Sequence, residues 1–210
     1  MQEIKKFIAG FKGFQKEYFE EDQALFSSLK EGQRPKVALI GCSDSRVDPS
    51  MMVRSEPGDL FIVRNVANLV PPCQFDHSYH GVSAALEYAV CHLEVEHIIV
   101  LGHSKCGGIR SLMEGIPSSG NDEYISKWVS IAERAKENVL HEFKHAPPER
   151  QAKACEHAAI LVSLENLLTF PWVKERVASG VLDLHGWYFD IEDGNLYSYN
   201  PTVGAFELLV

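Results

Sequence analysis

At 210 residues, with 45% hydrophobic and 23% charged residues, the sequence has the make-up of a globular protein long enough to bury a substantial core. Its formal net charge of −9 speaks against a nucleic-acid backbone as partner, and no apolar run approaches the roughly 20 residues that a membrane helix needs. Five cysteines at irregular spacing, with no signal-peptide-like apolar stretch ahead of them, argue against a disulfide framework and make a cytoplasmic address the default expectation.

In chain order, the helical spacing of Ile4, Phe7, Ile8, Phe11 and Phe14 predicts an N-terminal helix. Asp22 is placed to cap a second segment carrying Leu25, Phe26 and Leu29. A terminal helix this apolar needs a surface to lie on, and a neighbouring subunit is the expected one. Gly32 closes this helical arm, residues 1–32. Residues 36–41 and 60–64 are short apolar runs of the kind found in buried parallel strands, residues 79–93 read as a helix, and residues 96–101 as a third strand. Alternation of strand and helix at this spacing predicts an α/β fold with a mostly parallel sheet. Residues from about 121 to 170 are helix-rich, broken near Pro147-Pro148. Beyond them, residues 181–190 and 204–209 bracket Asp193-Gly194 and Asn200-Pro201, which predicts antiparallel strands joined by turns. With no repeat, linker or low-complexity segment, one domain over residues 1–210 is the simplest expectation.

Two segments carry the chemistry: Gly41-Cys42-Ser43-Asp44-Ser45-Arg46 and Gly102-His103-Ser104-Lys105-Cys106-Gly107-Gly108. Each follows a predicted parallel strand, and open α/β sheets bind ligands in the crevice outside the C-terminal ends of their strands. His103 and Cys106 stand three apart where strand gives way to helix, so one turn can aim both at a common point. Two thiolates and one imidazole suit zinc, and three protein ligands with an open fourth position mark a catalytic site. Two thiolates also make zinc a weaker Lewis acid than three imidazoles do, so its bound water ionises somewhat above the roughly pH 7 of such sites. Asp44 can accept a hydrogen bond from that hydroxide or occupy the fourth position itself, and Arg46 can hold it away by a bidentate pair. Cys73, Cys91 and Cys155 read as packing residues. A cysteine phosphatase would carry arginine where Asp48 stands, and a serine-hydrolase elbow fails at Cys106.

With these segments, and with Arg64-Asn65-Val66-Ala67-Asn68-Leu69-Val70-Pro71-Pro72 and Glu87-Tyr88-Ala89-Val90, the chain closely resembles the β-class carbonic anhydrases from about Gln33 to Asp190. The resemblance implies reversible hydration of carbon dioxide to bicarbonate, one zinc ion per chain held by Cys42, His103 and Cys106, and a catalytic Asp44–Arg46 dyad. It implies four parallel strands extended by an antiparallel edge strand, and a homodimer or higher homo-oligomer embraced by the N-terminal arm. It also implies a substrate pocket of Gln33, reaching over from the neighbouring subunit, with Phe61, Val66, Tyr88 and the backbone donor Gly107. Family members regulated by a non-catalytic bicarbonate carry tryptophan and tyrosine where this chain has Leu39 and Phe189, although Arg64 is retained. A site that rests open, with Asp44 on Arg46, is the expectation that follows. His77, His80 and His185 are candidate proton shuttles without an assignment. Hydrolysis of carbon disulfide or carbonyl sulfide on the same scaffold, and a zinc-binding regulatory module without catalysis, are the competing functions.

Overall fold

The computed structural model describes residues 2–21, 23–76, 78–115 and 123–210. Asp22 and His77, expected as a helix cap and a candidate shuttle, lie outside the described residues.

Helix α1 (Gln2–Gln15) runs into a π turn (Lys16–Glu21) and is followed by α2 (Ala24–Leu29). None of these segments buries a residue, although Phe14, Tyr18, Phe19 and Phe26 form an aromatic cluster that folds the arm on itself. The arm touches the body where Leu29 lies on Gly58, so closely that a side chain there would meet it at 2.6 Å. The stripe of Ile4, Phe7, Ile8 and Phe11 stays exposed.

The sheet comprises β1 (Val37–Cys42), β2 (Leu60–Asn65), β3 (His97–His103), β4 (Asp183–Phe189), β5 (Leu196–Asn200) and β6 (Ala205–Leu208), in the order β2-β1-β3-β4-β5-β6. The first four are parallel, and β5 and β6 each run antiparallel to their neighbour. The sheet thus has the expected parallel core and one antiparallel strand more than expected at its edge. The first tail segment, β4, pairs in parallel with β3 and antiparallel with β5.

Parallel strands buried on both faces read as continuous apolar runs. On one face Ala38, Ile40, Ile98 and Val100 pack beneath α4 (Gly81–Glu87), α8 (Pro148–Leu167) and α9 (Pro171–Ala178). On the other, Leu39, Ile99 and Leu101 form a smaller cluster with Trp187, Phe189 and Leu196. A third cluster joins the strand ends to α5 (Gly107–Glu114), α6 (Glu123–Val129) and α7 (Glu133–Glu142). Helix α8 serves two of these clusters, presenting Ile160, Leu164 and Leu167 to the sheet and Cys155, Ala159 and Val162 to the helical layer. Its contact with β3 is close enough that a Cβ on Gly102 would stand 2.7 Å from Ile160, so only glycine fits before His103.

The chain passes from β1 to β2 on one side and then back across β1 to β3 on the other, so the ends of β1 and β3 flank a topological switch point. Both strands run slightly further than their apolar patterns suggest, so Cys42 and His103 are their last residues. Cys91, expected to pack, is exposed on a π turn (Tyr88–His92), whereas Cys155 is buried.

Candidate metal centre and active site

The switch point brings Cys42, His103 and Cys106 together. Their ligand atoms all lie within 4.8 Å of one another and all three residues are buried. The two sulfurs are 4.0 Å apart. The Nδ1–H of His103 donates to the Ser104 carbonyl at 2.9 Å, which fixes the tautomer and leaves the Nε2 lone pair facing the thiols. That Nε2 is buried and has no hydrogen-bond partner. A buried ring nitrogen without a partner, beside two thiols, is the donor set of a zinc ion.

The sulfurs sit among backbone donors. Asp44 N–H points at Cys42 Sγ from 3.4 Å, and Ala67 N–H is directed at the same sulfur. Ala67 reaches it from a short 3-10 turn (Val66–Asn68) in which its φ is 65° and that of Asn68 is 47°, a left-handed conformation that L residues adopt at a cost. Cys106 stands at the N-terminus of α5 with the N–H groups of Gly108 and Ile109 directed at it. Hydrogen bonding with Cys106 lowers the pKa of the Cys42 thiol, and Cys42 in turn pushes that of Cys106 up. Burial works to lower His103, but the Cys42 sulfur and the Ser104 carbonyl outweigh it and leave its pKa raised.

Beside the thiols, the Asp44 carboxylate is clasped by Arg46: Oδ1 accepts from Arg46 N–H at 3.0 Å and Nε at 2.9 Å, and Oδ2 accepts from Nη2 at 2.7 Å. The Arg46 bonds hold Asp44 well below the usual carboxylate range, so it is an acceptor only. Its Oδ2 remains 4.0 Å from His103 Nε2. Arg46 in turn donates to the Lys105 carbonyl at 3.0 Å, which ties the two segments together.

Arg64 locks this loop. It donates to the carbonyls of Cys42 at 2.9 Å, Asp44 at 2.8 Å and Val47 at 3.0 Å, and to Asp48 Oδ2 at 3.0 Å. Asp48 uses its other oxygen to cap α3 (Pro49–Val53) through Met51 N–H at 3.1 Å. The sequence marks Arg64 only as a retained anion-site residue, and its part in holding the loop emerges from the fold.

The expected pocket residues fall into two groups. Val66 borders the metal ligands through Gly108, where a Cβ would meet its Cγ1 at 2.7 Å, and Trp128 Nε1–H fixes the Val66 carbonyl at 2.7 Å. Gly107 opens α5 beside Cys106, with nothing within 4 Å of where its Cβ would stand. Gln33, Phe61 and Tyr88 lie elsewhere. Phe61 pairs with Ala38 while Asn65 pairs with Cys42, so Phe61 is about 13 Å down the strand from the thiol level at roughly 3.3 Å per residue. Its ring is 6.0 Å from that of Tyr88. Gln33 precedes the opposite end of β1 and lines a separate polar cavity with Arg34, His92 and Arg176.

Comparison with known proteins decides the family. A family model described as carbonic anhydrase matches residues 37–196. The chain is 40% identical over 211 residues to β carbonic anhydrase 3 of Arabidopsis thaliana, covering 98% of this chain and 81% of that protein. The chain belongs to the β-class carbonic anhydrases. A carbonic anhydrase of Synechocystis is 36% identical over 203 residues, covering 97% of this chain and 73% of the relative. Among solved structures, the β-carbonic anhydrase CcaA superposes with a TM-score of 0.91 at 35% identity, covering 100% of this chain and 93% of that one. A β-carbonic anhydrase of Sordaria macrospora, described as tetrameric, superposes with a TM-score of 0.76 at 28% identity, covering 98% and 96%.

Two residues of this carbonic anhydrase went unmarked in the sequence. Glu156 and Tyr188 are buried against the Lys105-Cys106 turn. The available signal was a carboxylate at a helix position between Cys155 and Ala159, both of which pack inward.

Proposed function

We propose that the enzyme hydrates carbon dioxide reversibly to bicarbonate, with zinc held by Cys42 Sγ, His103 Nε2 and Cys106 Sγ. The observation that carries this reading is the unpartnered, buried Nε2 of His103 facing two thiols, with an ionised carboxylate alongside. When bound, zinc would supply hydroxide at mildly alkaline pH by lowering the pKa of a water. Asp44, unable to donate, accepts the hydrogen bond of the attacking oxygen and so directs its lone pair at carbon. Arg46 keeps Asp44 in that role by occupying both its oxygens, which supports a site that rests open. Val66 supplies apolar wall for a substrate without charge, and the Gly107 N–H is a donor for the bicarbonate oxygen.

Gln33, Phe61 and Tyr88 stand too far down the sheet to reach the thiols of their own chain, which favours their service to a neighbouring subunit's site. A homodimer as the catalytic unit follows, with the exposed stripe of α1 as part of the surface it covers.

Metal analysis together with a stopped-flow pH–rate profile tests the proposal. One zinc per chain and hydration rising through an alkaline pKa are expected, with both lost in Cys42→Ser. Full hydration activity in the metal-free or Cys42→Ser protein would refute it.

A further inference from the structure

We propose that Glu156 and Tyr188 form a buried positioning pair for Cys106, setting the third zinc ligand from behind without touching metal or substrate. The inference rests on reading Cys42, His103 and Cys106 as the ligands. Glu156, on α8, is 6% exposed. One carboxylate oxygen accepts from Cys106 N–H at 3.0 Å and the other from Tyr188 O–H at 2.8 Å. The Lys105 N–H is also directed at this carboxylate. The cation nearest in sequence, Lys153, is paired with Asp190 at 2.7 Å and lies over the Tyr188 ring at 5.7 Å.

A buried carboxylate is unfavourable unless donors fill its lone pairs, so its presence here calls for a task. The turn supplies one. Lys105 adopts φ 57°, a left-handed conformation at a residue that is not glycine, and this bend carries the chain from the end of β3 to the start of α5. It points two consecutive N–H groups away from the metal centre and swings the Cys106 sulfur to within 4.0 Å of Cys42. A carboxyl group offers two acceptor oxygens, enough to meet both N–H groups and the tyrosine hydroxyl together. Tyr188 anchors that group to β4, so a helix and a strand far off in sequence clamp the ligand turn.

What lies behind the pair sharpens the expectation. A cavity of about 630 Å³, lined by Ser104, Cys106, Lys153, Glu156, Tyr188 and Asp190 among others, opens onto it. Shortening Glu156 would therefore enlarge a space that already reaches Cys106 and has room for water, instead of letting apolar neighbours collapse inward.

Three variants test the pair. Glu156→Ala removes every acceptor, Glu156→Gln keeps the shape and one acceptor, and Tyr188→Phe removes only the anchoring hydroxyl. The readouts are the rate of zinc release to a chelator, the thiolate-to-metal charge-transfer band of cobalt-substituted protein, and the gap in Tm between zinc-loaded and metal-free forms. Partners that orient metal ligands typically contribute 10–100-fold in metal affinity. Glu156→Ala should accordingly release zinc at least about tenfold faster, with an altered cobalt band and a narrowed Tm gap. Glu156→Gln and Tyr188→Phe should fall between it and the unaltered enzyme. If Glu156→Ala lowers both Tm values equally and leaves release and spectrum unchanged, the pair is only a structural brace and the inference fails. Should that variant not fold, unchanged zinc release in both milder variants overturns it equally. Absence of a thiolate band in the unaltered enzyme would instead overturn the ligand assignment itself.

Discussion

His157 makes acid stability a quantitative matter. Its ring is edge-on to Tyr188 with centroids 4.2 Å apart and lies 4.4 Å from Phe206, and its buried Nε2 has no partner. Burial, aided by the Lys153 charge, brings its pKa down to about 4 from an ordinary 6.5. The folded state thus binds this proton less readily than the unfolded state does. The histidine leaves stability untouched well above pH 6.5 and subtracts from it progressively as pH falls from 6.5 towards 4. Between pH 8 and pH 5 the loss from this one group is about 2 kcal/mol, from the ratio of proton binding in the two states. For a chain of this size that corresponds to a fall in Tm of roughly 4–8 °C. Substituting His157→Phe keeps a ring between Tyr188 and Phe206, deletes the unpartnered nitrogen and removes the titration. Thermal unfolding of both proteins at matched concentration and metal content, at pH 8 and pH 5, measures the difference. The variant should match or exceed the parent at pH 8 and gain about 2 kcal/mol relative to it at pH 5. Zinc release in acid affects both proteins and cancels. Parallel pH dependences would show that His157 titrates normally and refute the reasoning.

Asp44→Asn places an amide N–H₂ against the donors of Arg46, so hydration should fall at least about 100-fold while the zinc content stays that of the parent. Stopped-flow rates beside metal analysis check this, and loss of zinc along with the rate would mean that Asp44 supports the ligands instead. Gly108→Ala sets a Cβ 2.7 Å from Val66 Cγ1 and 2.9 Å from the Ala67 Cβ. Because Ala67 is already held left-handed, relief is limited, and calorimetry should show a loss of about 1–3 kcal/mol. Gly107→Ala, which meets nothing within 4 Å, serves as the control and should stay within about 0.5 kcal/mol of the parent. Arg64→Leu strips donors from three carbonyls of the Cys42–Asp48 loop, and the Asp44–Arg46 clasp should loosen with it. A lower maximal rate at unchanged zinc content is the expected sign.

What the sequence disclosed, it disclosed through pattern. The apolar runs of β1 and β3 are buried on both faces, so their strand character stood out, and the ligands at their ends came with it. Cys42, His103 and Cys106 were legible as a set because zinc chemistry restricts donor type and spacing. Other parts had no local signature. The left-handed turn at Ala67-Asn68 contains no glycine to announce it, yet it aims an N–H at a metal-ligand sulfur. Glu156 stands 50 residues from the N–H it accepts, so only tertiary packing joins them. Helix α8 hides its own pattern by burying two sides, which blurs the usual apolar stripe. The separation of Phe61 from the thiols is a matter of register, fixed by the pairing of β1 with β2 and invisible in a contact-free reading of the chain.

That register has a consequence for subunits of unlike genotype. In the dimer proposed above, each chain would carry the ligands of one pocket and, at the other end of β1 and β2, the wall of a different one. Two inactive proteins, one broken at Cys42 and the other at Gln33 and Tyr88, should therefore rescue each other on mixing. In the mixed dimer both lesions fall in a single pocket, and the remaining pocket is built wholly from undamaged parts.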